Sequence, residues 1–223
     1  MVQSNCNYTR QSHGSKVLNN VTLEKVKAVN SDFSAWKATQ CTFSHFAFSD
    51  SAKMNYLHAS KTQFNDLTLQ DSYMKSSRFL DVVFDRLSAQ SSFFDQSTFA
   101  NCHFNQTSLY LVDFGVTHFH DTHWRNSTMR EVSFVGATLV NVVFEDEDHF
   151  FVRFPGSLFI NTIFRRCVLK KAIFRATTFV NCVFEQCDLS DAVFHNATLE
   201  NTTFVDTDIS KLANIDGAKG LPL

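Results

Sequence analysis

Large apolar residues recur along this chain once every five positions. From Met54 they fall at Ala59, Phe64, Leu69, Met74, Phe79, Phe84, Ala89, Phe94, Phe99 and Phe104. The phase holds through Leu109, Phe114, Phe119, Trp124, Met129, Phe134, Leu139 and Phe144. After His149 it resumes at Phe154 and runs to Ile209. An earlier block (Leu18, Leu23, Ala28, Phe33, Ala38, Phe43, Phe48) keeps the same period. One extra residue between Phe48 and Met54 sets it out of phase with the rest. A period of five matches neither an amphipathic helix, at about 3.6, nor a strand, at about 2. It predicts a chain that turns a corner every five residues and points one large side chain inward from each short side.

The positions around these centres support that geometry. Two residues before a centre the side chain is small: Ser72, Ser77, Ser92, Ser97, Cys102, Thr107, Thr177, Cys182, Ala192 and Ala197. Two residues after it, Asn or Asp recurs: Asp66, Asp71, Asp81, Asn101, Asp121, Asn126, Asn141, Asn161, Asn181, Asp191, Asn196 and Asn201. Both types tolerate the left-handed backbone that tight corners demand. Every fourth centre forms a column. Leu69, Ala89, Leu109, Met129, His149, Leu169, Leu189 and Ile209 contain no Phe, whereas Phe84, Phe104, Trp124, Phe144, Phe164, Phe184 and Phe204 are all aromatic. Four sides and twenty residues per coil separate these columns, and a three-sided coil would scatter them. Successive coils would stack at about 4.8 Å.

Composition sharpens the picture. All but four of the 25 Phe are centres, the exceptions being Phe46, Phe93, Phe150 and Phe151. Only 6 Gly and 2 Pro are present, so the corners rest on Asn and Asp. Runs such as Ala192 to Asn196 and Ala197 to Asn201 resemble the pentapeptide-repeat family over about residues 16–221. The residue just before the centre departs from the family pattern, being mixed here (Arg78, Val183, Thr198). The resemblance implies an all-β fold, a right-handed quadrilateral β-helix of about ten coils. The expected organisation is an irregular cap over 1–15, the β-helix over 16–209 with its phase shift near 49–53, and a closing segment over 210–223.

The clearest break in the pattern is Glu145, Asp146, Glu147, Asp148, His149, Phe150, Phe151 and Arg153. Glu147 stands where a small inward residue belongs, and His149 where an aliphatic centre belongs. Unpaired charges are excluded from cores. This segment, 145–153, is therefore expected to bulge outward, carrying acids and two spare Phe as a partner-binding element. Four histidines, His103, His118, His120 and His123, gather nearby and read as a solvated patch rather than a metal site. Five of the six Cys (Cys41, Cys102, Cys167, Cys182, Cys187) sit at the small inward place, like buried hydrophobes. The basic residues Arg165, Arg166, Lys170, Lys171 and Arg175 wrap one coil, with acids close enough for a salt-bridged surface. One position beyond the aromatic column, Arg125, Glu145, Arg165 and Glu185 should form an alternating charge ladder, with Asp146 over Arg166.

The formal net charge is −2. That excludes strong steering toward nucleic acid or lipid. No apolar run approaches the roughly 18 residues of a membrane span, and no apolar stretch near Met1 reads as a Sec signal. A cytoplasmic location, or delivery by a non-Sec route, is the expectation. Phosphate-binding loops, metalloprotease motifs, nucleophile elbows and paired CxxC motifs are missing from the sequence. A non-enzymatic rod that binds a protein partner, with no cofactor or metal and without contacting nucleic acid or membrane, is the expectation, as a monomer or an end-to-end homodimer. The family resemblance implies an alternative: a protection protein that binds DNA gyrase or topoisomerase IV by imitating duplex DNA. Near-neutral charge weighs against the alternative.

Overall fold

The computed structural model describes residues 2–4 and 6–222. Three-residue strands, each built on one centre, stack in parallel into three sheets of eleven, ten and eight strands. Here the four sides are numbered in chain order. Face 1 carries the column from Leu69 to Leu189, and its strands run from Asn7–Thr9 to Asp148–Phe150. Face 2, with Phe94, Phe114, Phe134 and Phe154 inside, is held by single bridges from Ser12 and Asp32 to Val193 and Asn214. Face 3 contains the strands from Val17–Asn19 to Thr198–Glu200, and face 4 those from Val2–Ser4 to Thr203–Val205. The architecture is the expected right-handed quadrilateral β-helix of about ten coils.

Register follows the twenty-residue coil. Phe64 pairs with Phe84, Phe84 with Phe104, and Phe104 with Trp124. The extra residue after Phe48 is absorbed at one corner, where Asp50 and Ser51 both take positive φ, 53° and 68°. There the partner of Lys37 becomes His58, one residue further on than the regular step from Val17 to Lys37. All twelve Asn and Asp of the corner pattern have positive φ, between 47° and 59°. That backbone is costly for residues with a Cβ, and Asn and Asp offset the cost through their short polar side chains. On the corner after face 3 those side chains also bond to each other vertically: Asn141 donates to Asp121 (2.8 Å), Asn161 to Asn141 (3.1 Å) and Asn201 to Asn181 (3.2 Å). Val116 occupies an equivalent corner at φ 54° with nothing comparable to offset its branched Cβ.

Inside, the columns are stacks of rings. Phe164 lies 5.0 Å from Phe144 and 4.8 Å from Phe184 between centroids, nearly parallel in both cases. Phe114 is buried between Phe94 and Phe134, at 5.0 and 5.1 Å. The small inward residues tuck beneath the corners and satisfy the backbone there. Ser77 accepts from the Leu57 N–H (3.0 Å) and donates to the Lys75 carbonyl (3.1 Å). The Thr177 hydroxyl donates to the Phe154 carbonyl at 2.7 Å. Smallness is needed because the side chain sits against a carbonyl of the preceding coil, where buried polar groups must find partners.

The described residues of the expected irregular cap over 1–15, namely 2–4 and 6–15, follow the coil instead. Strands Val2–Ser4 and Asn7–Thr9 pair in register with Thr22–Glu24 and Lys27–Val29. Tyr8 and His13 hold the centre places, both against Phe33 at 5.3 and 4.5 Å. The repeat thus continues with polar-edged rings as centres, which an apolar scan passes over. At the other end, the tail shifts phase by one: Val193 bridges Asn214 and Thr198 bridges Lys219.

Candidate functional site: the 145–153 coil

The expected bulge does not form. Val143–Glu145 pairs with strands on both sides, and Asp148–Phe150 pairs in register with Thr128–Arg130. Unpaired charge is indeed excluded from the core, but here the two misfit residues pair with each other inside it. Glu147 points inward, fully buried, at the small-residue place. Its Oε1 accepts the Ser127 N–H at 3.1 Å, as the Ser127 hydroxyl accepts the Thr107 N–H one coil earlier, also at 3.1 Å. The Glu147 carboxylate has taken over a hydroxyl's task. Its Oε2 lies 3.2 Å from His149 Nε2, with both side chains fully buried. The imidazole packs edge-on against Phe144, and its Nδ1 is buried without a partner. A buried acid–base pair is retained at considerable desolvation cost, and losing either member strands the other.

The remaining acids of the run are also occupied. Glu145 lies 2.9 Å from Arg166 Nη2, and Asp146 lies 2.6 Å from its Nε. Hydrogen bonds from Arg166 hold both carboxyls below their ordinary range. Glu145 also reaches Arg125 and Arg165, at 3.7 and 3.6 Å, and Arg165 reaches Glu185 at 2.8 Å. The predicted ladder therefore stands on face 4 in the predicted order. Asp148 pairs with Arg130. With its four carboxylates engaged, the segment presents to solvent Phe150, Phe151 and Arg153. The two rings are 38% and 41% exposed, large values for Phe.

Their neighbours come from adjacent coils of face 1. Tyr110, Arg130 and Phe150 share one outward column. At the following corner, the Leu111 N–H bonds the Arg130 carbonyl, the Glu131 N–H that of Phe150, and the Phe151 N–H that of Lys170. Lys171 Nζ and the Arg130 guanidinium lie 5.7 and 5.9 Å from the Phe150 ring centre. Cations over a ring face are attracted by its quadrupole. Glu131, Phe150, Phe151 and Lys171 line a shallow open depression. Along the sequence Lys170 and Lys171 stand only within a basic cluster, and Tyr110, Leu111 and Arg130 belong to no motif. Stacking the residues one and two places after the aliphatic column brings all of these together.

The other candidates resolve differently. His103 and His123 stack on face 4 with ring centroids 6.2 Å apart, while His118 and His120 flank Phe119 on face 3. Burial lowers the His123 pKa, and Glu145 lies 3.7 Å from its Nε2. Among the described residues no group of three or more His, Cys, Asp or Glu is placed to hold a metal. The five inward cysteines are buried free thiols. Burial pushes Cys102 up to about 12 and Cys182 to about 11, leaving little of the reactive thiolate near neutral pH. Among the described residues no helix is long and apolar enough to cross a membrane.

The arrangement is that of a pentapeptide-repeat β-helix, and comparison with solved structures agrees at the level of fold. HetL, a pentapeptide-repeat protein involved in heterocyst differentiation regulation from the cyanobacterium Nostoc sp. strain PCC 7120, superposes with a TM-score of 0.62. It is 14% identical, over 88% of each chain. QnrB1, a plasmid-mediated fluoroquinolone resistance protein, superposes in a trypsin-treated form with a TM-score of 0.55. It is 15% identical, over 92% of this chain and 91% of that one. The profile of the SV2A/B/C luminal domain family matches residues 152–219. No curated protein sequence matches.

Proposed function

We propose that the chain is a non-enzymatic scaffold that binds a protein partner, and that the contact is made on face 1 by Phe150, Phe151 and the side chains around them. The exposed Phe pair carries this reading. In a molecule that buries nearly every other Phe, two adjacent rings stand in solvent on a backbone fixed by the coils above and below. Rigid exposed aromatics lose little conformational entropy on binding and are typical interface anchors. Val168, also exposed, lies one coil further along the same face, and exposed Tyr110 and Leu111 stand two coils back, beyond Arg130 and Glu131.

Topoisomerase protection is the rival reading, prompted by the likeness of fold to QnrB1. The ladder on face 4 argues against duplex mimicry, because each acid there is matched by an arginine and no continuous negative stripe results. The test compares wild-type protein with the Phe150→Ala, Phe151→Ala double variant by quantitative co-purification from cells. Loss of a discrete protein partner, with an unchanged melting temperature, is the expected result. Equal recovery by both would overturn the face-1 assignment. Protection of gyrase supercoiling from a fluoroquinolone by both proteins alike would favour the rival.

A further inference from the structure

The charges around the Phe pair carry the reading one step further. Along face 4, every arginine of the ladder finds a carboxylate in the next coil. Around the Phe pair the cations do not. Lys170, Lys171 and Arg153 form no ion pair among the described residues, and Lys171 is instead turned over the Phe150 ring. Of the nearby acids, Asp148 is committed to Arg130 and Glu145 and Asp146 to Arg166, while Asp188, one coil beyond, feels the charge of Lys170 but bonds the Ser190 N–H and hydroxyl. Glu131 is the one unpaired carboxylate lining the depression. The centre of the patch therefore combines two exposed rings with a surplus of positive charge, in a protein whose overall charge is −2.

We propose that the occupant of this patch is an acidic protein segment bearing a large apolar side chain. The inference rests on the face-1 docking reading above. The apolar side chain would seat against the Phe150 and Phe151 rings, whose centroids are 6.4 Å apart. Flanking carboxylates would meet Lys170, Lys171 and Arg153. Complementary charge of this kind sets register and partner choice. A nucleic acid strand also combines negative charge with stacking groups, but it needs a basic track along its backbone. Following the corner column along the rod, Lys171 is succeeded by Asp191, while Phe151 is preceded by Glu131. A phosphate backbone laid along the rod would meet an acid on each side of the patch, whereas a short acidic segment crossing it would not.

The experiment selects random short peptides displayed on phage against the intact protein, with counterselection on the Phe150→Ala, Phe151→Ala variant. Peptides that discriminate the two proteins are expected to be net acidic and to carry a large apolar residue. Fluorescence anisotropy with the best of them, synthesised and labelled, should show binding weakened about tenfold or more by Lys170→Glu, Lys171→Glu, and weakened by added salt. Both variants change exposed side chains, and coincident thermal melts verify their fold. Discriminating peptides that are neutral or basic, or that ignore the charge reversal, would overturn the acidic occupant while leaving the docking surface intact. A labelled oligothymidine that binds wild type and is lost in the Phe variant would replace it with a nucleic acid. Failure to select any discriminating peptide would overturn the docking surface and this inference together.

Discussion

Faces 1 and 4 of a single coil meet the same stacking rule with opposite outcomes. On face 4, Arg125, Glu145, Arg165 and Glu185 follow one another up the rod, and each charge is answered by its vertical neighbour. On face 1, the corresponding column reads Tyr110, Arg130, Phe150, Lys170, so that one ring, Phe150, stands between two cations where an acid might have been. A solenoid makes each outward residue a neighbour of the residue twenty positions away. A column can therefore complete itself, as face 4 does, or leave its chemistry open to another molecule, as face 1 does. Exposed pairs of the first kind add little stability individually, but they keep that surface from competing for partners.

The largest expected effect tests the foundation that both faces share. Phe164→Ala empties a site within the ring stack beneath the ladder and should cost about 3–5 kcal/mol in denaturant unfolding. The coils on either side should loosen with it, since each repeat is supported by its neighbours. An unchanged midpoint would mean that the two faces do not share one stack.

A comparable loss should follow from His149→Leu, which leaves the buried Glu147 carboxylate with the Ser127 N–H but without its imidazole partner, at about 3–5 kcal/mol. Adding Glu147→Ser restores the residue types seen at Ser127 and Leu169 in the neighbouring coils. The double variant should recover wild-type stability or exceed it by about 1–4 kcal/mol. If it remains as unstable as the single variant, the pair contributes something beyond mutual neutralisation, and face 1 depends on it.

Val116, at a corner outside both columns, provides a scale for backbone strain. Val116→Asn should raise stability by about 1 kcal/mol, because a branched residue is replaced by one that tolerates positive φ. A lower melting temperature would show that exposed Val116 makes contacts that outweigh its strain.

The acid limb of the stability curve separates the faces more finely. Glu145 and Asp146 have folded-state pKa values below the ordinary 4.5 and 3.8, held there by Arg166. Depressed carboxyls contribute stability above the unfolded pKa and lose it as pH falls through the folded one. Arg166→Ala should therefore lower stability modestly at neutral pH, flatten the pH dependence below about pH 4.5 and converge with wild type in acid, with the neutral-pH difference shrinking in high salt. An identical acid limb in the variant would mean that the ladder is not formed in solution. The smallest effect belongs to face 1 itself. Phe150→Ala with Phe151→Ala should move stability by no more than about 0.5 kcal/mol per site, because those rings project outward from the coil and fill no place in the core.

The period of five, the four columns and the corner Asn and Asp were legible because each coil repeats the same local problem. A ring must be buried, a small residue must fit under a carbonyl, and the backbone must turn through positive φ. Pairing at a fixed spacing of twenty is enough to place Arg165 beside Glu185. The first coil was less legible, since Tyr8 and His13 serve as centres only when Phe33 is there to receive them.

The 145–153 segment marks the boundary of what residue types alone determine. Four acids followed by a histidine and two Phe announce a break in the repeat, and composition correctly forbids an unpaired buried charge. Two solutions satisfy that rule: the chain can swing out, or the charges can pair within. The choice depends on the Ser127 N–H and the His149 ring both lying within hydrogen-bond reach of a carboxylate at the inward place of position 147. That depends on the register of three successive coils, and hence on contacts between residues far apart in the chain. Spacing and residue type specify the rod, its coil length and its self-neutralised ladder. Tertiary structure decided that Glu147 and His149 turn in, that every acid of the run is occupied, and that the two Phe are left facing solvent among unpaired cations. The physical reason is that burial of a charge is settled by the geometry of its partners, which a residue's identity does not encode.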